Sequence, residues 1–536
     1  MSELECLAYG IGHAEEGVCL LLRLGPYRLL LDCGLTDLTP LLSQTVPPAD
    51  LVLCTHAHAD HAKGLLALHQ AFPQMPIYAS EVTTQLLPLN WPTEAASASQ
   101  ICQALPWRTP IEFLDGLSAE LYPAGHLPGA AAILLTYSPA FAKPASVFYT
   151  GDFFLSNSRL VEGLPLEDLR GISPDVLIVE GSYGTSRHPH RRQQENQLAE
   201  RIHRAIVENY SILLPTTPLG AAQELLMLLR SHHHFTGRDI NIWVDEAIAA
   251  SCDAYLEILP HLPTSVQNFA RHQPLFWDEK IRPRVRRLED DRRSLLSSPS
   301  IVLTSERADL SQYYHANPDS WLILIPQDPR IHLQFPLTDL QAPLTETYLL
   351  AQHGDGPGTT QLIHNLRPQH VVFVHGSPGY LSDLTGLEEL HNRYHLHSPA
   401  PGALVEFPIG ETFIQPAPPE TSYEGELTEF NAIVTITLPN ALTADPRWQL
   451  LADTGLIEAR WQGDELVLRG LPQRELLRQG GDRLLDWVDA NSPLRNCCGN
   501  CRHYRGQRCW NGISPLFELK VTPDGFCPAF EPGQQS

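Results

Sequence analysis

Four metal-type ligands stand within six residues at the end of an apolar strand, where His56-Ala57-His58-Ala59-Asp60-His61 follows Leu51–Thr55. No other feature constrains the chain as much. Imidazole and carboxylate are borderline-to-hard donors that suit zinc and related divalent ions. On one tight loop, which the small alanines permit, the four can divide between two ions. His56 and His58 face one, Asp60 and His61 the other. In a chain with 24 histidines some fall together by chance, and the run His232–His234 is read that way. An ordered cluster at a strand end is not.

At 536 residues the chain is long enough for about three to four domains. Lys plus Arg is 37 against 61 Asp plus Glu, a net charge of −24. That balance excludes coating nucleic acid or an anionic membrane by bulk charge, although it leaves room for a local basic groove. The apolar share of 43% and charged share of 18% predict packed cores rather than a disordered chain. The 46 prolines predict many fixed turns. The apolar stretch Val18–Leu31 is broken by Arg23, Pro26 and Arg28, so neither a signal peptide nor a membrane span is expected, and no membrane partner. Cys6, Cys19, Cys33, Cys54, Cys102 and Cys252 lie in apolar contexts and read as reduced thiols of a cytoplasmic protein.

Along the chain, short β-type runs alternate with helices, which predicts an α/β layered fold. Val18–Leu24 and Arg28–Asp32 read as a hairpin, and Ser146–Thr150 and Val176–Glu180 as further strands. A second α/β region opens with a polar helix from Arg191 to Ile206 and the strand Ser211–Pro215. The helix Ala221–Arg230 and strands Asp239–Val244, Ser300–Thr304 and Trp321–Pro326 follow. The charged segment Arg282–Arg293 reads as a solvated helix. The apolar strand Val371–Val374 belongs to a third stretch, closed by the linker Pro416–Thr421.

His56-x-His58-x-Asp60-His61 resembles the signature of the metallo-β-lactamase fold. Arg28–Gly34 resembles that fold's first motif, in which Asp32 supports the metal loop; Gly125-His126 and Tyr149-Thr150-Gly151-Asp152 follow in the required order. Glu180-Gly181-Ser182-Tyr183-Gly184, His353-Gly354-Asp355 and Val374-His375-Gly376 resemble motifs A, B and C of the β-CASP nucleases. The resemblance implies an αββα sandwich at 1–205 and 347–415 with a β-CASP α/β insertion at 206–346. A linker at 416–424, a small β-rich module at 425–492 and a Cys-rich tail at 493–536 complete the expected plan. It further implies two zinc ions, one held by His56, His58, His126 and Asp152, the other by Asp60, His61, Asp152 and His375. Glu180 would fix the tautomer of His353 as proton donor, with Asp60, Glu180 and His353 as the catalytic set. Ser182 and Arg187 would meet substrate. Three departures concern the cleft: Ala221 after Gly220, Ser305-Glu306-Arg307-Ala308 in place of a glycine-rich turn, and Ala351-Gln352 before His353.

The implied function is hydrolysis of RNA phosphodiesters, single-stranded RNA foremost, by a chain that could form a homo-oligomer. Arg187, Arg191 and Arg192 are candidates for contacts to flanking phosphates. Two other readings stand beside it: a hydrolase of a small ester or phosphodiester on the same fold, and a metal-free scaffold for RNA-processing partners. In the tail, Cys498, Cys501, Cys509 and Cys527 form a four-thiolate set suited to a structural zinc or an iron–sulfur cluster, with Cys497 spare.

Overall fold

The computed structural model describes residues 4–12, 16–43, 45–141, 143–288, 299–314, 317–328 and 343–409. Beyond these it describes the strand backbones 426–430, 433–437, 457–462 and 465–470, and the segments 501–505 and 508–509. The chain divides into two compact units, 1–419 and 420–536.

Three sheets build the first unit. In the first, seven strands lie in the order Leu404–Glu406, Leu4–Ile11, Val18–Leu24, Tyr27–Leu31, Leu51–Leu53, Ile77–Ser80, Cys102–Leu105. The first four pair antiparallel and the rest parallel. The second sheet runs His395–His397, His370–Val374, Val176–Glu180, Ala145–Tyr149, Ala131–Tyr137, Leu117–Pro123, Ile111–Leu114. Its first four strands are parallel. Strands of this kind are buried on both faces, which explains their continuous apolar runs. Leu29 to Leu31 and Val176 to Val179 are all fully buried. Residues of both sheets share one contiguous core.

Helices cover the outer faces and start from local signals. Asp355 caps Gly356–Leu366 by accepting from Gly358 N, with a proline in the first turn, and Arg367 ends that helix in the left-handed region. Ser377 caps Pro378–Thr385 in the same way. The consequence for function is positional. Tyr27–Leu31, Leu51–Leu53, Ala145–Tyr149, Val176–Glu180 and His370–Val374 end next to Asp32, His56, Asp152, Glu180 and His375. Parallel neighbours place these carboxyl ends on a common edge, where ligands bind in open α/β sheets.

The third sheet is six parallel strands, Arg284–Arg287, Asn241–Val244, Ile301–Ser305, Ser211–Thr216, Trp321–Pro326 and Leu344–Tyr348. It is thus drawn wholly from 211–348, inside the second α/β region. One expectation is corrected here. Arg284–Arg287 is an edge strand, not a solvated helix. Val285 is buried while the guanidinium groups of Arg286 and Arg287 lie over Trp243 and Trp277, at 5.6 and 4.4 Å from the ring centroids. Glu279 and Asp253 pair with these two arginines. Residues 289–298 lie outside the described residues.

In the second unit Glu426–Phe430 pairs antiparallel with Ile433–Thr437, and Ile457–Gln462 with Glu465–Gly470. Tyr504–Arg505 pairs with Arg508–Cys509. Cys497, Cys498 and Cys527 lie outside the described residues, so the four-thiolate set does too. Among the described residues no helix is long and apolar enough to cross a membrane.

Gly34 packs against the metal loop so closely that an added Cβ would overlap the Asp60 carbonyl. Gly34→Ala must push that loop away, at a cost of roughly 1–3 kcal/mol or more. Urea unfolding should show the unfolding free energy falling by that amount, read as a lower midpoint at unchanged slope; an unchanged midpoint would contradict this packing.

Candidate metal centre

The loop after Leu51–Leu53, the turn after Leu117–Pro123 and the turns after Ala145–Tyr149 and His370–Val374 converge on one buried pocket. His56 Nε2 lies 3.2 Å from His58 Nδ1, and His126 Nε2 lies 3.0 Å from that same nitrogen. Asp152 Oδ2 is 3.5 Å from His56 Nε2 and 3.6 Å from His126 Nε2. On its other side, Asp152 Oδ1 is 3.2 Å from both His61 Nε2 and His375 Nδ1. Asp60 Oδ2 closes the group at 3.2 Å from His375 Nε2. Asp152 therefore stands between two ligand sets.

What fixes the imidazoles is behind them. Asp32 is fully buried and held at φ 57. Its carboxylate accepts from Thr55 N at 2.7 Å, Thr55 Oγ1 at 2.8 Å, His61 Nδ1 at 2.8 Å and the Tyr149 hydroxyl at 2.7 Å. Thr55 spends its only proton on Asp32, so at 3.0 Å it accepts from His56 Nδ1. His58 Nε2 lies 3.1 Å from the Leu219 carbonyl, and His126 Nδ1 lies 2.9 Å from the Gln352 carbonyl. Each of these oxygens can only accept, so each ring carries its proton on the outward nitrogen. Where these rings are neutral, the inward nitrogens of His56, His58, His61 and His126 are left as lone pairs.

Lone pairs 3.0–3.2 Å apart repel unless a cation lies among them. Among the described residues nothing hydrogen-bonds the buried His61 Nε2 or His353 Nε2. The donor set thus fits divalent ions, and clustered histidine and aspartate ligands of this kind bind them. The electrostatics agree. Burial pushes the Asp152 carboxyl up, but His375, His61 and His353 outweigh it and hold it well below the carboxylate range. Burial pushes His61 down, yet Asp152 and Asp32 raise it well above the usual imidazole value. The same contest, with Asp152 and Asp60 winning over burial, lifts His375 to about 9. Burial and the neighbouring His61 keep His56 well below its ordinary value. A metal-free pocket supplies the missing positive charge as protons.

His353 forms the wall of the pocket. Its Nδ1 lies 2.8 Å from Glu180 Oε2, and Glu180 Oε1 accepts from Phe153 N at 2.6 Å. Burial raises Glu180, but the charge of His353 beside it brings it below its usual range. Two expectations change at this wall. Ser182 is buried, its hydroxyl against Glu180 Oε2 and 3.0 Å from His375 Nδ1, which places it behind the ligands rather than towards substrate. Arg191 is buried as well. It pairs with Glu195 and Glu224 at 3.3 Å each and donates to the Ala351 carbonyl, so it braces the protein and cannot reach a phosphate. Arg187 is exposed. Gln194 Oε1 accepts from Ala351 N at 2.8 Å, fixing the other side of the same residue.

Residues 27–211 match the family model described as a Beta-lactamase superfamily domain. An uncharacterised protein of Synechocystis sp. is 51% identical over 548 residues, covering 99% of this chain and 97% of that relative. Probable RNase MJ4 of Methanocaldococcus jannaschii is 28% identical over 235 residues, 40% of this chain and 54% of its own length. Cleavage and polyadenylation specificity factor subunit 3 of Dictyostelium discoideum is 23% identical over 435 residues, 71% of this chain and 54% of its own length. This chain therefore spans about half the length of each of the latter two relatives. From the matched domain, the ordered ligand motifs and these relatives together, the chain belongs to the β-CASP branch of the metallo-β-lactamase superfamily of metal-dependent hydrolases.

Proposed function

We propose that this protein is a ribonuclease that hydrolyses phosphodiester bonds of single-stranded RNA at a pair of zinc ions. The single observation that carries the reading is the two-sided ligand set around Asp152 with the His353–Glu180 pair against it. His56, His58, His126 and Asp152 would hold one ion; Asp60, His61, Asp152 and His375 the other. Bound there, the ions would supply Lewis-acid stabilisation of the phosphoryl oxygens and a hydrolytic water of lowered pKa. Proteins named as RNases among the relatives support RNA as the substrate class.

The chain's own residues do the rest. Glu180 accepts from His353 Nδ1, leaving Nε2 to carry the transferable proton. In-line attack makes the 3′ oxygen the leaving group, and His353 Nε2 delivers its proton there as the bond breaks. Products then carry 5′-phosphate and 3′-hydroxyl ends, and the neutral imidazole stays hydrogen-bonded to Glu180. Ser182 acts as a positioning group for Glu180 and His375. Arg187, exposed beyond the motif A turn, would contact a flanking phosphate. The buried free thiols Cys6, Cys19, Cys33, Cys54 and Cys252 suit a reducing, cytoplasmic setting. A further structural zinc or iron–sulfur cluster on Cys498, Cys501, Cys509 and Cys527, and assembly into a homo-oligomer, belong to the same proposal.

Incubation with 5′-labelled RNA tests the assignment. Asp60→Ala should abolish cleavage, and His353→Ala should slow it by about 10²–10⁴-fold with metal content intact. Cleavage unchanged in both variants would sink the reading, and turnover of chromogenic phosphodiesters without RNA cleavage would favour a small-ester hydrolase.

Metal uptake should also be linked to protons. His375, lifted to about 9, is protonated in the metal-free pocket at pH 7.0–8.0 as an expected working range. An ion must displace that proton and the one that Asp152 and Asp32 hold on His61, so zinc affinity should climb with pH from neutral through at least about pH 9. Calorimetry in buffers of different ionisation enthalpy should register proton release at neutral pH. Uptake with no proton released would contradict the charge balance described here.

A further inference from the structure

Two helices that start at the metal centre meet again further out. Arg191–Val207 opens with the arginine that holds Ala351, and Ala221–Ser231 follows the Leu219 carbonyl that holds His58. Past the end of the second helix come His232, His233 and His234, whose ligand nitrogens lie within 4.8 Å of one another. Their rings stand 4.2–4.9 Å apart between centroids. The first helix faces them with Glu200 and His203, one turn apart. His234 Nε2 is 3.0 Å from Glu200 Oε2, and His203 stacks on His234 at 4.6 Å and 15°.

A chance run of histidines would splay into solvent. Here His232 is buried, His234 is half-buried, and a carboxylate and a fourth imidazole come from a different element. We propose that Glu200, His232, His233 and His234 form a peripheral site for a divalent transition-metal ion that ties the two helices together, with His203 packed behind it. Neutral imidazoles with one carboxylate suit zinc, and bind nickel or copper(II) as readily. Zinc with nitrogen donors at about 2.0–2.1 Å needs them about 3.4 Å apart in a tetrahedron. The exposed His233 can close the present spread by rotating its side chain. His232 Nδ1 accepts from His234 N at 3.3 Å, so Nε2 carries the ring proton towards Asn196 Oδ1 at 3.4 Å, and binding an ion through Nε2 would shift that proton and give up both long contacts. The helix Ala221–Ser231 separates this site from His58 by about 16 Å at 1.5 Å per residue, so the ion sits outside the hydrolytic pocket. Its effect is mechanical: it ties the end of one helix to the middle of the other, the two helices whose near ends adjoin Leu219 and hold Ala351.

The test compares the full chain with His233→Ala plus His234→Ala, and with Glu200→Gln plus His203→Ala, after zinc loading and removal of excess. Mass-spectrometric metal content of the histidine double variant should fall by one equivalent per chain. The rise in Tm that the wild type gains from that last equivalent should vanish with it. The Glu200→Gln, His203→Ala variant should bind that equivalent about tenfold or more weakly. Copper(II) added to the zinc-loaded wild type should show imidazole nitrogen hyperfine structure that the double variant lacks. Equal metal content and equal Tm gain in wild type and double variant would overturn the site. Loss of the ion in the histidine variant with no effect of the Glu200 and His203 changes would also overturn it, since the run alone would then be binding. Only the difference between variants is read, so the result does not depend on how many ions the central pocket holds or on cleavage of RNA.

Discussion

One buried carboxylate organises the metal centre. Asp32 sits at the end of Tyr27–Leu31 in the left-handed region and accepts hydrogen bonds from Thr55, His61 and Tyr149. A buried carboxylate is costly unless it is fully hydrogen-bonded, and this one is. Its arrangement decides which nitrogen of His61 carries a proton directly, and of His56 through Thr55. It also joins the two sheets, because Tyr149 belongs to the second and Asp32 to the first. Sheet packing and ligand chemistry thus meet in one group.

Two more imidazoles, His58 and His126, are oriented by main-chain carbonyls. His58 depends on a carbonyl just before Gly220, in the segment that starts the inserted α/β layer, and His126 depends on a carbonyl next to His353. The inserted region is therefore part of the ligand geometry, not an appended platform. Arg191 and Gln194 grip Ala351 from both sides, which extends the same logic to the segment bearing His353. Shape and charge agree in this arrangement: the pocket that lines up lone pairs also holds Asp152 ionised and His375 protonated until a cation replaces the proton.

Much of this was legible in the sequence because metal ligation uses side chains with no common substitute. His56, His58, Asp60, His61, His126, Asp152 and His375 are recognisable as types, and apolar runs such as Val176–Glu180 mark the strands that carry them. The supports were not legible for a physical reason. The oxygens that orient His58 and His126 are main-chain carbonyls, which every residue has. Charge density misled in both directions. Arg282–Arg293 reads as a solvated helix, but its part Arg284–Arg287 is a strand with a buried valine and two arginines over tryptophan rings. Arg191 reads as a surface cation but lies buried between two glutamates. The His232–His234 run gave no hint of Glu200 and His203, which come from another helix.

Side chains from separate strand ends are proposed to cage two cations with Asp152 between them. Anomalous diffraction from crystals of the zinc-loaded protein tests this arrangement. Two zinc peaks should appear in the pocket about 3.5–4 Å apart, with one Asp152 oxygen directed at each. A pocket holding a single ion or none, or zinc bound there without Asp152, would contradict it.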